Sequence, residues 1–188
     1  MEEDPDGMEV VRTWPVVGPM RTARLRLDPL RVGDAPSMEP LLADPDLYRY
    51  TGGAPPTLQQ LRERFMNQVY GSSPDGEEGW FNWVVRLKRD STAVGTVQAT
   101  ALDRDFGVVE TAWVVGAAHQ GQGYATEAVS ALCAWLEGFD ARELCAFIHP
   151  QNLPSQRVAH HVGMAPGCAL REGDVRWSVR LDGPERTS

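Results

Sequence analysis

Apolar residues recur along this chain with two different periods. At Arg24-Leu25-Arg26-Leu27 they alternate with polar ones, the period of a half-buried strand. Longer strand-like runs occupy 80–87, 93–102 and 108–115, with turn residues around Asp90 and Asp103 between them. Residues 143–149 read as a further strand. The turn Arg171-Glu172-Gly173-Asp174 reads as a hairpin leading into Val175, Trp177, Val179 and Leu181.

Helical spacing appears elsewhere. Asp34 is placed to cap a short helix through Leu41-Leu42, whose regularity Pro36 and Pro40 limit. Thr57-Leu58-Gln59-Gln60 is a capping box, and the helix it opens carries Leu58, Leu61, Phe65 and Val69 on one face. A longer helix is predicted over 122–138, with Ala125, Ala128, Val129, Leu132, Trp135, Leu136 and Phe139 at helical spacing. A short one over 154–162 is closed by Gly163. The order β-α-α-β-β-β-α-β-α-β-β predicts an α+β domain of about seven strands and about four helices. Its sheet is mostly antiparallel and gains a parallel neighbour through the long helix. The domain is expected over 21–182. Residues 1–20 read as a loosely ordered lead-in from which Trp14 docks, and 183–188 as a frayed tail.

At 188 residues the chain suits one domain, and 42% apolar with 23% charged residues is ordinary for a globular protein. Against 26 acidic residues stand 18 basic ones, a net charge of −8. That balance argues against a nucleic-acid groove and suits cationic or amine-bearing partners. Cys133, Cys145 and Cys168 are scattered, without a CxxC pair, and read as reduced thiols, not as a disulfide framework or a zinc site. No apolar run approaches the roughly 20 residues of a membrane helix, and residues 1–7 lack the features of a signal peptide. The expectation is a soluble cytoplasmic protein without membrane association.

The sharpest local feature is Gln120-Gly121-Gln122-Gly123-Tyr124-Ala125, between the strand ending at Val115 and the long helix. A glycine-rich strand-to-helix turn exposes main-chain N–H groups, and the helix dipole adds positive potential there, so the turn suits a pyrophosphate. It is not a P-loop, since no Lys-Ser/Thr follows. Nor is it a G-x-G-x-x-G fingerprint, whose third glycine falls at Thr126.

The hexapeptide matches the Q/R-x-x-G-x-G/A signature, and from about Thr22 to Leu181 the chain resembles the GNAT superfamily of acyl-CoA-dependent N-acyltransferases. It looks most like the branch holding the ribosomal-protein N-terminal acetyltransferases (RimJ/RimL-like) and many small-amine acetyltransferases. Further matches are Thr22-Ala23-Arg24-Leu25-Arg26-Leu27, Glu110-Thr111-Ala112-Trp113-Val114-Val115, Thr126-Glu127-Ala128, and Asn152-Leu153-Pro154-Ser155 leading to Val162-Gly163-Met164. The resemblance implies a three-layer fold whose fourth strand (108–115) splays from the fifth (143–149) in a V. Acetyl-CoA is expected in that cleft as co-substrate. Its pantetheine would lie along Trp113, Val114 and Val115, and its pyrophosphate on the amides of Gln120, Gly121, Gln122, Gly123, Tyr124 and Ala125. Thr126 would add a hydroxyl, and Asn152 and Ser155 would line the thioester end. A homodimer is common in the family.

Acyl transfer from a thioester to an amine needs a free amine. At pH 7 an α-amine costs roughly 1.4 kcal/mol to deprotonate and a lysine-like amine roughly 4.6. Glu110, at a position where related enzymes commonly carry a glutamate, is the candidate base, directly or through water. Many members have a tyrosine seven residues after the Asn to protonate the thiolate, but Ala159 stands there. Ser155 is the hydroxyl left to donate to the sulfur, with helix capping as its competing role. His119, His160 and His161 form no chelating set, because adjacent helical residues point about 100° apart, and no metal is expected. Trp80, Trp83, Trp113, Trp135 and Trp177 read mainly as core anchors, with Trp113 and Trp177 as a lesser reading for the acceptor pocket wall. That pocket is expected from the first two helices, the acidic 70–79 loop and the 171–176 hairpin. The acceptor is expected to be an amine, either a peptide N-terminus or a small molecule. The alternative is a fold-mate that binds acyl-CoA without turnover or serves as an interaction module.

Overall fold

Leu25 and Leu27 are fully buried while Arg26 between them is not, so the two-residue period of the first segment survives as a strand. The computed structural model describes residues 14–181. Its strands are β1 (Met20–Arg21), β2 (Leu25–Pro29), β3 (Gly79–Leu87), β4 (Ala93–Ala101), β5 (Val108–Val115), β6 (Glu143–Ile148), β7 (Ala165–Arg171) and β8 (Asp174–Arg180). The α-helices are α1 (Ala35–Met38), α2 (Leu58–Val69), α3 (Tyr124–Glu137) and α4 (Leu153–His161). One eight-stranded sheet runs β1-β2-β3-β4-β5-β6-β8-β7. Every pairing is antiparallel except β5 with β6, which α3 joins. The eighth strand is β1, two residues long and too short to show a period.

The sheet separates two cores. Phe81, Trp83, Val85, Val97, Ala99, Val109 and Leu144 pack with Val129, Leu132 and Leu136 of α3 and Ala159 of α4. On the opposite face Val84 packs with Leu30, Met38, Leu61 and Phe65 beneath α1 and α2. Strand alternation therefore puts α3 and α4 on one side and α1 and α2 on the other.

Two helix expectations are corrected. The capping box of α2 forms as read, with the Gln60 amide donating to Thr57 Oγ1 (3.3 Å) and the Thr57 amide to Gln60 Oε1 (2.9 Å). Val69, however, is 44% exposed. The last turn is held by polar bonds from Gln68, whose carbonyl accepts from Asn82 and whose side chain donates to Gln98, so position 69 overhangs the core. Asp34 does not cap α1 with its side chain. Its carboxylate instead accepts from the Arg31 amide (2.9 Å) and from Arg86 (2.7 Å), tying the segment to β3, and 3₁₀ turns at Val32–Asp34 and Pro40–Leu42 flank the four-residue α1.

Trp14 docks as expected, and the segment after it packs too, so the fold begins before residue 21. The Trp14 indole donates to the Gly76 carbonyl (3.2 Å) and packs edge-on against Phe81 and Phe106. A Cβ on Gly79 would lie 2.5 Å from that ring, which is why a glycine starts β3. Trp83 donates to the Gly18 carbonyl (2.9 Å). The remainder of the expected lead-in, 1–13, and the tail from 182 lie outside the described residues.

Candidate functional site

Strands β5 and β6 pair only at Val108↔Glu143, Val109↔Leu144 and Glu110↔Cys145. Past Glu110 they part, and β5 keeps its antiparallel partner β4 as far as Val115 while β6 keeps β8 as far as Ile148. The edge of β5 from Thr111 to Val115 is thus left without a strand neighbour, which is the V expected between the fourth and fifth predicted strands. Each arm of the open end has one contact from the 41–50 segment. Tyr50 stacks on His149, just past β6 (5.3 Å between rings), and Leu41 fills the space where a Gly116 Cβ would sit, just past β5.

The glycine turn lies beyond the end of β5. A 3₁₀ turn, Ala117–His119, leads into it, and Gln120 folds back to donate to the Val115 carbonyl (2.9 Å). Gly121 (φ +73°) and Gly123 (φ +77°) are both left-handed, a region that Cβ-bearing residues rarely adopt. Gly123 is the N-cap of α3 and brings no side chain to the helix's first amides, at Tyr124, Ala125 and Thr126. Gln120 to Gly123 are exposed, and an open groove of about 680 Å³ beside them is lined by Arg21, Arg24, Thr126 and His161, among others. The Tyr124 side chain is buried, so only its main chain is available at the turn.

One lock on this turn escaped sequence reading. Arg24 donates through Nε to Glu127 Oε2 (2.7 Å) and through Nη1 to the Gln122 carbonyl (2.9 Å), with its guanidinium over the Tyr124 ring (4.9 Å). Glu127 also accepts from the Thr22 hydroxyl and the Arg24 amide. Burial pushes the Glu127 carboxyl up, but these hydrogen bonds outweigh it and hold the group below its ordinary range. The start of β2 and the first turn of α3 are therefore clamped together across the turn. In the sequence Thr22, Arg24 and Glu127 stand out only as family-like motifs, and a pairing over a hundred residues apart leaves no periodic signal.

Glu110 sits where the cleft opens. Its register partners Thr100 and Cys145 place it on the α2 side of the sheet, opposite α3 and α4. It is half-buried and accepts from Arg171 Nη1 (2.8 Å). Burial pushes the neighbouring Cys145 thiol up, with the Glu110 and Glu143 charges adding to that and Arg176 opposing it.

Asn152, not Ser155, caps α4: its Oδ1 accepts from the Ser155 amide (3.2 Å). α4 accordingly starts at Leu153, one residue before the predicted bound. At its other end Gly163 (φ +84°) closes it, as the Gly163 amide donates to the His160 carbonyl and the Met164 amide to the Ala159 carbonyl. The competing role expected for Ser155 thus belongs to Asn152, and the Ser155 hydroxyl remains half-exposed in the first turn.

Other expectations change. Trp113 and Trp177 pack with the α3 core, on the face away from Glu110, and so do not wall a pocket on its side. Val114 packs with the α1–α2 core, and Ala159 is fully buried. Two carboxylates of the 70–79 loop are engaged locally: Asp75 accepts from the Ser73 hydroxyl and the Glu77 amide, and Glu78 from the Trp80 indole of β3. That loop adjoins Gly79, at the end of the sheet where β4 ends and β5 begins, away from the gap. Among the described residues no cluster of His, Cys, Asp and Glu is arranged to hold a metal. No helix there is long and apolar enough to cross a membrane.

The sheet is thus opened between two parallel strands, with a glycine turn at the mouth of the opening. A family model described as the acetyltransferase (GNAT) domain matches residues 24–165, and the chain belongs to that family and is an acetyltransferase. It is 24% identical over 152 residues to the uncharacterized N-acetyltransferase p20 of Bacillus licheniformis, covering 80% of this chain and 84% of that one. Its fold is similar to that of RimL, a ribosomal L7/L12 alpha-N-protein acetyltransferase solved in complex with coenzyme A (TM-score 0.75, 14% identity, 88% of this chain and 99% of that one). It is also similar to the spermidine N-acetyltransferase of Vibrio cholerae solved with CoA and spermine (TM-score 0.70, 16% identity, 86% and 98%).

Proposed function

We propose that the protein transfers an acetyl group from acetyl-CoA to a primary amine by direct attack in a ternary complex. The observation that carries this reading is the parting of β5 and β6 directly after Glu110, above a turn whose two left-handed glycines present bare main chain. The left-handed φ favours glycine at both positions, and the missing Cβ leaves the main chain open to close approach by an anion. The free edge of Trp113, Val114 and Val115 suits a strand-like arm, and RimL and the spermidine enzyme, both solved with CoA, share the fold.

Acetyl-CoA supplies an electrophilic thioester carbon and a thiolate leaving group. Glu110 accepts a proton from the acceptor ammonium, directly or through one water, which frees the nitrogen lone pair to attack that carbon. The C–N bond forms, the C–S bond breaks, the nitrogen loses its second proton and the sulfur gains one. Main-chain donors along the β5 edge face the carbonyl oxygen as it takes on charge. Ser155 donates a hydrogen bond to the departing sulfur. A thiol of ordinary pKa near 8.5 leaves without a strong acid, so Ala159 in place of a tyrosine is compatible with turnover.

The acceptor enters from the α2 side, which Glu110 faces. The two CoA-bound neighbours act on a protein N-terminus and on a polyamine, and both chemistries fit a half-buried carboxylate. A thiol-release assay against peptides with free N-termini and small amines tests the reading. Sustained release of CoA with at least one amine supports it, and tight CoA binding without release from any of them rejects it.

A further inference from the structure

Glu110 has a cationic neighbour delivered from a distant part of the chain. Arg171 is the last residue of β7, held by the tight turn Glu172-Gly173, both left-handed (φ +53° and +93°), and by its pairing with Asp174 at the start of β8. The register of β7 on β8 shifts between Pro166 and Leu170, a bulge that bends the strand and re-aims its end. Arg171 then lies over the Phe147 ring of β6, with its guanidinium carbon 3.7 Å from the ring centre, while Nη1 donates to Glu110 Oε1 at 2.8 Å. Phe147 shares the sheet face of Cys145 and Glu110, two residues further along β6 and beside the opening of the V. One face of the guanidinium is therefore fixed by the ring and one edge by the carboxylate. The second Glu110 oxygen has no hydrogen-bond partner among the described residues.

We infer that Arg171 is a positioning residue for acetyl transfer, holding one Glu110 oxygen so that the other faces the acceptor amine. The inference rests on the reading of Glu110 as the base. A pair with side chains 52% and 27% exposed contributes little to stability, so its consequence belongs in turnover. The bond also restrains the orientation of the carboxylate, and misplacing a reacting group by an ångström costs up to about a hundredfold. The hairpin that carries Arg171 thereby becomes part of the active site through Glu110.

A double-mutant cycle tests this, using acetyl-CoA and the panel amine that gives the fastest thiol release. Arg171→Met keeps an apolar arm over Phe147 and removes the hydrogen bond. It should lower kcat about tenfold with KM for acetyl-CoA unchanged, and Arg171→Lys should recover part of the loss. In a Glu110→Ala background, Arg171→Met should change nothing further, because it acts through the missing carboxylate. Equal losses in both backgrounds, or wild-type kcat for Arg171→Met when Glu110→Ala is impaired, overturn the role of Arg171 alone. Wild-type activity for Glu110→Ala overturns the base assignment itself. Should Arg171→Met fail to fold, Arg171→Gln replaces it in the same cycle.

Discussion

Arg24 Nε lies 2.7 Å from Glu127 Oε2, and the same guanidinium reaches the Gln122 carbonyl, so one side chain ties the first long strand to the turn that opens α3. Glu127→Gln weakens this clamp. Arg24 is half-exposed, so solvent screening limits the loss to about 1–2 kcal/mol, a fall in Tm of several degrees. The pH dependence has a defined sign. Glu127 is held below its ordinary 4.5, so the unfolded chain takes up this proton first. The group's contribution is complete above that value and disappears as pH falls through the lower folded-state value. Urea midpoints measured across the acid range should therefore fall less steeply for Glu127→Gln than for the native chain.

Gly123→Val probes the turn directly. At φ +77° a β-branched residue is strained by about 1–2 kcal/mol, and its Cβ would lie 3.4 Å from Arg24. A domain with two well-filled cores should keep its fold under that strain, whereas the main-chain cradle should not keep its shape. Calorimetric titration with CoA should show binding abolished while circular dichroism is unchanged. Micromolar affinity retained in the variant would remove the pyrophosphate from this turn.

What could be read before the structure divides along contact distance. Strands β2, β3, β4 and β5 carried a period of two or a β-branched run, α2 carried both a capping box and a buried face at Leu61 and Phe65, and the glycine turn is a local motif. The parting of β5 from β6 was implied only by family resemblance, since strand splay leaves no mark in either strand's own pattern. Three relationships could not be seen. Arg24 with Glu127, Arg171 with Glu110 and Trp14 with Gly79 each join residues more than sixty apart, where neither period nor spacing speaks. Ser155 and Asn152 show the opposite case: both suit a cap, and only backbone geometry decides that Asn152 takes the role. The acidic 70–79 loop misled because composition reports charge but not its use: Asp75 accepts from donors within the loop and Glu78 from the Trp80 indole of β3.

Glu110→Ala should lower turnover at neutral pH by about 10²-fold or more, the usual contribution of a positioned base. The acceptor must lose its proton before attack, and without Glu110 only bulk solvent removes it. The deficit should therefore shrink as pH rises toward the acceptor's own pKa, near 8 for an α-amine and near 10.4 for a lysine-like amine. A pH–kcat/KM profile of the variant should climb where the native profile is flat. A deficit that stays constant with pH would assign Glu110 to binding the acceptor.

The three cysteines should respond unequally to alkylation, and the order follows from burial. Cys168, on the exposed strand β7, presents its thiol to solvent. Cys133, on α3, is pushed up to about 11, mostly by burial and further by the charge of Glu137 one turn on. Since the thiolate is the reacting form, at pH 8 Cys133 would be ionised only to about one part in a thousand. Cys145 is buried at the base of the cleft and its thiol is also raised, so it reacts slowly unless the sheet opens. Iodoacetamide footprinting read by mass spectrometry should modify Cys168 first in the native protein and all three together in urea. Saturating CoA should leave the Cys168 rate unchanged, because β7 is three strands from β5 in the sheet order, and fast native labelling of Cys145 would mean that the β5–β6 pairing opens at the site of Glu110.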